Sequence, residues 1–169
     1  MYDGYPLEEF LNKNLVFDLR NTIHQFISFY VNFLLTWRFE YAINYLPLDG
    51  KLRNVIVIDE AEELLLRSVG VSGIDLITRY VKMYRATGTG LIISSHSWKV
   101  LNEAPVIQNN IGVLVMLACM NQYDAKLMAN SMGMQEEVAE KIAELVPGEG
   151  IVKIIGVEEC IPIKIQKVI

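Results

Sequence analysis

Val55-Ile56-Val57-Ile58 runs directly into Asp59-Glu60, four branched apolar residues followed by two adjacent carboxylates. A β-branched run of this length, bounded by turn chemistry, predicts a strand buried on both faces of a parallel sheet. Acids at the end of such a strand stand where open α/β sheets bind ligands, outside the carboxyl ends of the strands. The pair suits phosphoryl transfer, in which one acid holds Mg²⁺, directly or through water, and the next polarises the attacking water. A plainer role fits the same residues. Asp59 can N-cap the helix that begins Ala61-Glu62-Glu63-Leu64, with Glu60 complementing the dipole in its first turn.

Working outward, the chain lacks the motif that would cradle phosphates. That loop needs G-x-x-x-x-G-K-[ST], whose glycines let backbone N–H groups approach the phosphates while the Lys reaches the β/γ oxygens. The only Gly-Lys pair is Gly50-Lys51, with Tyr45 in place of the first Gly and Leu52 in place of Ser or Thr. Gly88-Thr89-Gly90 has no Lys after it and precedes a strand rather than following one. Two readings remain at this point: a piece of an ATPase whose phosphate-binding half lies elsewhere, or no ATPase at all.

Bulk composition narrows the setting. With 169 residues the chain has the length of a single domain, 1–169, and is long enough for a sizeable core. A hydrophobic fraction of 52% against 21% charged residues argues against disorder. The mean hydropathy of +0.28 is high for a soluble domain, so some apolar surface is expected to meet another chain or segment. A net charge of −5 gives no global attraction to nucleic acid, and any DNA contact must come from a local patch. Cys119 and Cys160 have neither CxxC nor Cys/His spacing, which predicts no metal site and no disulfide framework and fits a reducing cytosol. Met1 leads into the polar Tyr2-Asp3-Gly4, so no signal peptide is read.

The most membrane-like stretch, Phe26 to Trp37, is too short to span a bilayer. Phe26, Phe29, Tyr30, Phe33, Trp37 and Tyr41 recur at helical spacing, predicting one face of a helix from about Thr22 to Tyr45. That face is expected in the core, or at a protein–protein contact if the stripe proves too wide. Elsewhere strands and helices alternate. Strands are predicted at Asn14–Leu19, Val55–Ile58, Gly90–Ser94, Ile111–Leu117, Gly150–Ile155 and Ile161–Val168. Helices are predicted from Ala61, over Ile74–Tyr84, briefly at Pro105–Asn109, and over Asp124–Ser131 and Gln135–Leu145. The alternation argues for an α/β fold, a mostly parallel sheet flanked by helices and closed by an antiparallel hairpin.

Several segments in order resemble the ATPase core of the HerA/FtsK superfamily, which includes the conjugative type IV secretion ATPases. Asn54 to Leu65 looks like the family's Walker B strand and the helix after it. Tyr84-Arg85-Ala86-Thr87-Gly88-Thr89-Gly90 resembles its Arg-containing helix end and glycine turn. Ile92-Ile93-Ser94-Ser95-His96 sits where the family carries a strand ending in Thr-Gln, and Gln108-Asn109-Asn110 with Asn121-Gln122-Tyr123-Asp124 is similar to its later Asn-rich stretch. Leu145 to Val152 followed by Ile161-Pro162-Ile163 looks like its terminal hairpin. The resemblance covers most of the chain from Leu15 onward.

The resemblance implies a RecA-like sheet and the C-terminal part of a motor core, with the P-loop strand missing. That strand would lie between the strand ending at His96 and the Ile111–Leu117 strand, leaving a gap with two facing edges. It implies Asp59 as the Mg²⁺ and cofactor-binding residue, Glu60 as the water-orienting catalytic group and Arg85 as a trans arginine finger, with Arg79 second. His96 stands where the family has a γ-phosphate-sensing Gln, and the Val113–Leu117 strand carries no Arg where relatives place one. The implied cofactors are ATP and Mg²⁺. The implied partners are the remainder of the ATPase core, sister subunits of a hexamer, DNA through the ring and a membrane channel, with a cytoplasmic location at the inner membrane face. A non-catalytic adaptor with a degenerate ATPase fold is the alternative. A third reading is an unrelated α/β enzyme using Asp59, Glu60 and His96 as acid/base or metal groups.

Overall fold

The computed structural model describes residues 9, 13–62, 80–84, 86–102, 105–118 and 121–166. The long helix forms as the aromatic spacing predicts, with α1 spanning His24–Tyr45 and extended backbone at Leu46 just before Pro47. Its orientation differs from expectation. The buried side is Leu35, Phe39 and Ala42; Leu35 and Phe39, with half-buried Val31, pack against Tyr80 and Tyr84 of the helical residues 80–84. Phe26, Phe29, Tyr30 and Phe33 lie on the opposite side and are between 43% and 63% exposed. Both sides of α1 are apolar, so helical spacing alone could not decide which one enters the core. The outer aromatics pack on one another instead, Phe29 stacking on Phe33 at 6.5 Å and Tyr41 lying 5.1 Å from Tyr45. Among the described residues no helix is long and apolar enough to cross a membrane.

Strands β1 (Asn54–Ile58) and β2 (Thr89–Ile93) pair in parallel, from Asn54 opposite Thr89 to Ile58 opposite Ile93. Ile56 and Ile58 with Leu91 and Ile93 face the core that includes Ala61 and Ile107. Their other face carries Val55, Val57 and Ile92, all exposed. The expectation of burial on both faces is therefore met on one only. A continuous apolar run with no polar alternation leaves an apolar open face. At the amino ends of these strands the buried Arg38 donates through Nη2 to Asn54 Oδ1, which also accepts from Thr89 Oγ1 at 3.1 Å. Burial holds Arg38 below the usual arginine range.

Helices α2 (Trp98–Asn102) and α3 (Pro105–Gln108) follow β2. Of these only α3 was legible as a short turn or helix. A second sheet is wholly antiparallel, in the order β3 (Val113–Leu117), β4 (Glu149–Ile154), β5 (Cys160–Lys164). Helices α4 (Gln122–Ser131) and α5 (Glu136–Ala143) connect β3 to β4. Asn121 caps α4 by accepting from the Tyr123 N–H at 2.8 Å, and Glu136, Glu137 and Lys141 complement the dipole of α5. Met116 and Ile151 pack beneath α4 and α5 with Trp98, Met128 and Ile142. Pro162 is accommodated because β5 is an edge strand.

The class is α/β, as read, but the sheet is divided. Among the described residues β2 and β3 do not pair, and the division falls where the resemblance leaves a gap. The second sheet also has an apolar open face, with Val113, Val115 and Leu117 of β3, Ile154 of β4 and Ile161 of β5 exposed on one side. Residues 14–19 form no strand. They are irregular, and Leu15, Val16 and Phe17 are exposed, so the apolar pattern there finds no described ladder to join. The helix predicted after Ala61 and the first half of that over Ile74–Tyr84 lie outside the described residues.

Candidate active site

The parallel register sets the site. Because Ile58 and Ile93 are opposite each other, the next residues of the two strands, Asp59 and Ser94, emerge side by side at the carboxyl end. The Ser94 N–H donates to Ile58 O at 2.9 Å, and Ser94 O accepts from the Ala61 N–H at 3.0 Å, extending the ladder past the strand ends. The Ser94 hydroxyl donates to Asp59 Oδ1. The Glu60 N–H donates to that same Oδ1 at 3.1 Å and also lies 3.3 Å from Ser94 Oγ.

Glu60 has a left-handed backbone, φ 52°, unusual for a residue with a side chain. Such a conformation costs on the order of 1 kcal/mol or more and persists only where neighbours over-determine it. Here the bonds from Ser94 and Asp59 do so. Asp59 and Glu60 both remain exposed to solvent. The Glu60 carboxylate lies 3.8 Å from His96 Nε2, an ion pair when the imidazole is protonated.

Glu62 adds a second tie between the two strand ends. Its Oε1 accepts from the His96 N–H at 3.0 Å. Burial works to raise its pKa. The backbone N–H groups of Glu62 and His96, the Ser95 hydroxyl and the His96 charge outweigh that, and hold the carboxyl below its usual range.

The structure thus brings Asp59, Glu60 and His96 to one strand-end cluster. Arg85 and Arg79 lie outside the described residues. Sequence reading missed Ser94 and Glu62. Ser94 was open to inference from a parallel pairing of the two strands with their ends aligned; nothing in the local sequence marked Glu62 apart from its neighbours. Among the described residues no three His, Cys, Asp or Glu side chains converge as a metal cage. Mg²⁺ does not require one. It is commonly held by one or two carboxylates, with several of its waters kept and substrate phosphates completing the shell. Asp59 fits that role, since both described hydrogen bonds fall on Oδ1 and Oδ2 is the oxygen left to face a hydrated cation.

No protein-family model matches the sequence, and no curated protein does. Solved structures do. VirB4 of Thermoanaerobacter pseudethanolicus superposes with a TM-score of 0.65 at 21% identity, over 89% of this chain and 40% of that one. The genome packaging NTPase B204 of Sulfolobus turreted icosahedral virus 2, in complex with AMPPCP, gives 0.67 at 18% identity, over 98% and 73%. The plasmid coupling protein TrwB in complex with ADP and Mg²⁺ gives 0.68 at 16% identity, over 96% and 43%. The chain shares the RecA-like fold of these proteins. It spans about two-fifths of the VirB4 and TrwB chains and about three-quarters of B204. At these identities the likeness is one of fold.

Proposed function

We propose that this chain is the acid-bearing part of a nucleotide-driven motor core that moves DNA or powers conjugative transfer. The observation that carries the reading is the pairing of Asp59-Glu60 at the end of β1 with Ser94 and His96 at the end of β2. It occurs in a fold shared with proteins solved with AMPPCP or with ADP and Mg²⁺. In this reading Asp59 holds the cation and Glu60 orients the attacking water. His96, beside Glu60, donates or accepts one hydrogen bond at the γ-phosphate. Held by Asp59, Mg²⁺ would supply neutralisation of the charge that develops on the phosphates. Arg85 is proposed as the trans finger, supplied to a neighbouring subunit of a hexamer.

The phosphate cradle must come from another segment. The open apolar faces and the β2 and β3 edges, unpaired among the described residues, support that, because unpaired edges template strand addition. The proposed setting is cytoplasmic, at the inner face of the membrane, with DNA threading the assembled ring. One observation favours a second reading, a non-catalytic adaptor: the sequence has no G-x-x-x-x-G-K-[ST]. Nucleotide binding by the ATPase that contains this chain separates the two. Under the motor reading, Asp59→Asn weakens Mg²⁺-dependent binding about tenfold or more. Binding with the same Mg²⁺ dependence in wild type and variant contradicts it.

A further inference from the structure

We propose that Ser94 is a positioning residue for the cation-binding carboxylate, an inference that rests on the reading of Asp59 as the metal ligand. The Ser94 backbone is fixed on both sides, its N–H by Ile58 O and its carbonyl by the Ala61 N–H. Its hydroxyl therefore projects from a rigid point between the two strand ends. That hydroxyl serves two neighbours at once. Its proton goes to Asp59 Oδ1, and its oxygen lies 3.3 Å from the Glu60 N–H.

Two consequences follow from this arrangement. First, Oδ1 takes both hydrogen bonds described for Asp59, which fixes the rotation of the carboxylate and leaves Oδ2 for a cation. Metal-ligating carboxylates depend on such outer hydrogen bonds for orientation. Second, the same hydroxyl helps hold the Glu60 N–H, and with it the left-handed backbone from which the Glu60 carboxylate comes within 3.8 Å of His96 Nε2. One hydroxyl thus sets the direction of both acids. The Ser94 side chain is exposed, so an added methyl group has room.

The test uses Ser94→Val and Ser94→Thr, which share shape and branching and differ in the hydroxyl. Asp59→Asn is the control that locates the metal. The probe is Mn²⁺, its free ion followed by electron paramagnetic resonance. It is titrated into the ATPase containing this chain in the presence of a non-hydrolysable nucleotide, so the readout is binding rather than turnover. Ser94→Val should weaken Mn²⁺ binding roughly tenfold, the low end for loss of an outer-shell partner. Ser94→Thr should restore it to within about twofold of wild type. Equal affinities in wild type, Val and Thr variants, with Asp59→Asn still weakened, overturn the role of Ser94 and leave the Asp59 reading standing. Equal weakening in Val and Thr variants also overturns it, by assigning the effect to bulk. Unchanged binding in Asp59→Asn overturns the Asp59 reading and this inference together.

Discussion

Glu62 shows how a single carboxylate ties chemistry to stability in this molecule. It joins the first turn after β1 to the His96 backbone, and its pKa is held below the usual 4.5 despite the opposing effect of burial. A depressed carboxylate contributes stability that is fully present above its unfolded pKa and is lost as pH falls through the folded value. The window therefore opens below about pH 4.5. Glu62→Gln should lower the thermal midpoint at pH 7 and narrow the gap from wild type as the pH approaches 3, read by circular dichroism. A gap that stays constant or widens on acidification would remove the ion from the account. The acids Asp59 and Glu60 were legible because they end an apolar run. Ser94 and Glu62 were not, because their importance arises from strand register and from a contact across 34 residues of sequence, neither of which local pattern contains.

At the scale of elements, the strands were the most legible part. Branched apolar runs between glycines and prolines placed β1 to β4 within about two residues of their observed starts, and the antiparallel closing hairpin was expected. The misses share a cause. Residues 14–19 have the composition of a strand but join no ladder among the described strands, and α1 is apolar on two sides, so its aromatic spacing pointed to the outer one. Composition reports what an element can bury; the neighbour decides whether and where it does. The turn into β2 offers a sharp test of that coupling. Gly88 has φ +68°, and a Cβ there would sit 2.2 Å from Lys51 O, while its own carbonyl accepts from the Arg53 N–H at 2.8 Å. Gly88→Ala combines left-handed strain with a backbone clash, and should destabilise the chain by roughly 1–3 kcal/mol in denaturant unfolding. A variant as stable as wild type would mean that the β1–β2 entry is not locked as described.

For the whole molecule, the described strands fall into two sheets, and each has an apolar face open to solvent. The likeness to VirB4, B204 and TrwB is one of fold, and this chain spans only part of each of them. Assembly is where the motor and adaptor readings diverge. A trans arginine finger acts only when a neighbouring subunit presents it and is worth roughly 10³–10⁵ in turnover in related phosphoryl-transfer systems. Arg85→Ala assemblies and Glu60→Gln assemblies should each be inactive, while mixing the two subunits should regain hydrolysis at interfaces that pair an intact Glu60 with an intact Arg85. No rescue, or an Arg85→Ala assembly with normal turnover, assigns Arg85 another role. The central claim, that Asp59 and Glu60 form the acid pair of a nucleotide motor, is tested most directly by Glu60→Gln in the ATPase containing this chain. With ATP binding and single-turnover hydrolysis measured on the same preparation, binding should persist within a few-fold while hydrolysis falls at least 100-fold, the scale of losing a positioned proton acceptor. Hydrolysis at the wild-type rate in that variant would contradict the claim and return Asp59 and Glu60 to the role of helix-capping acids.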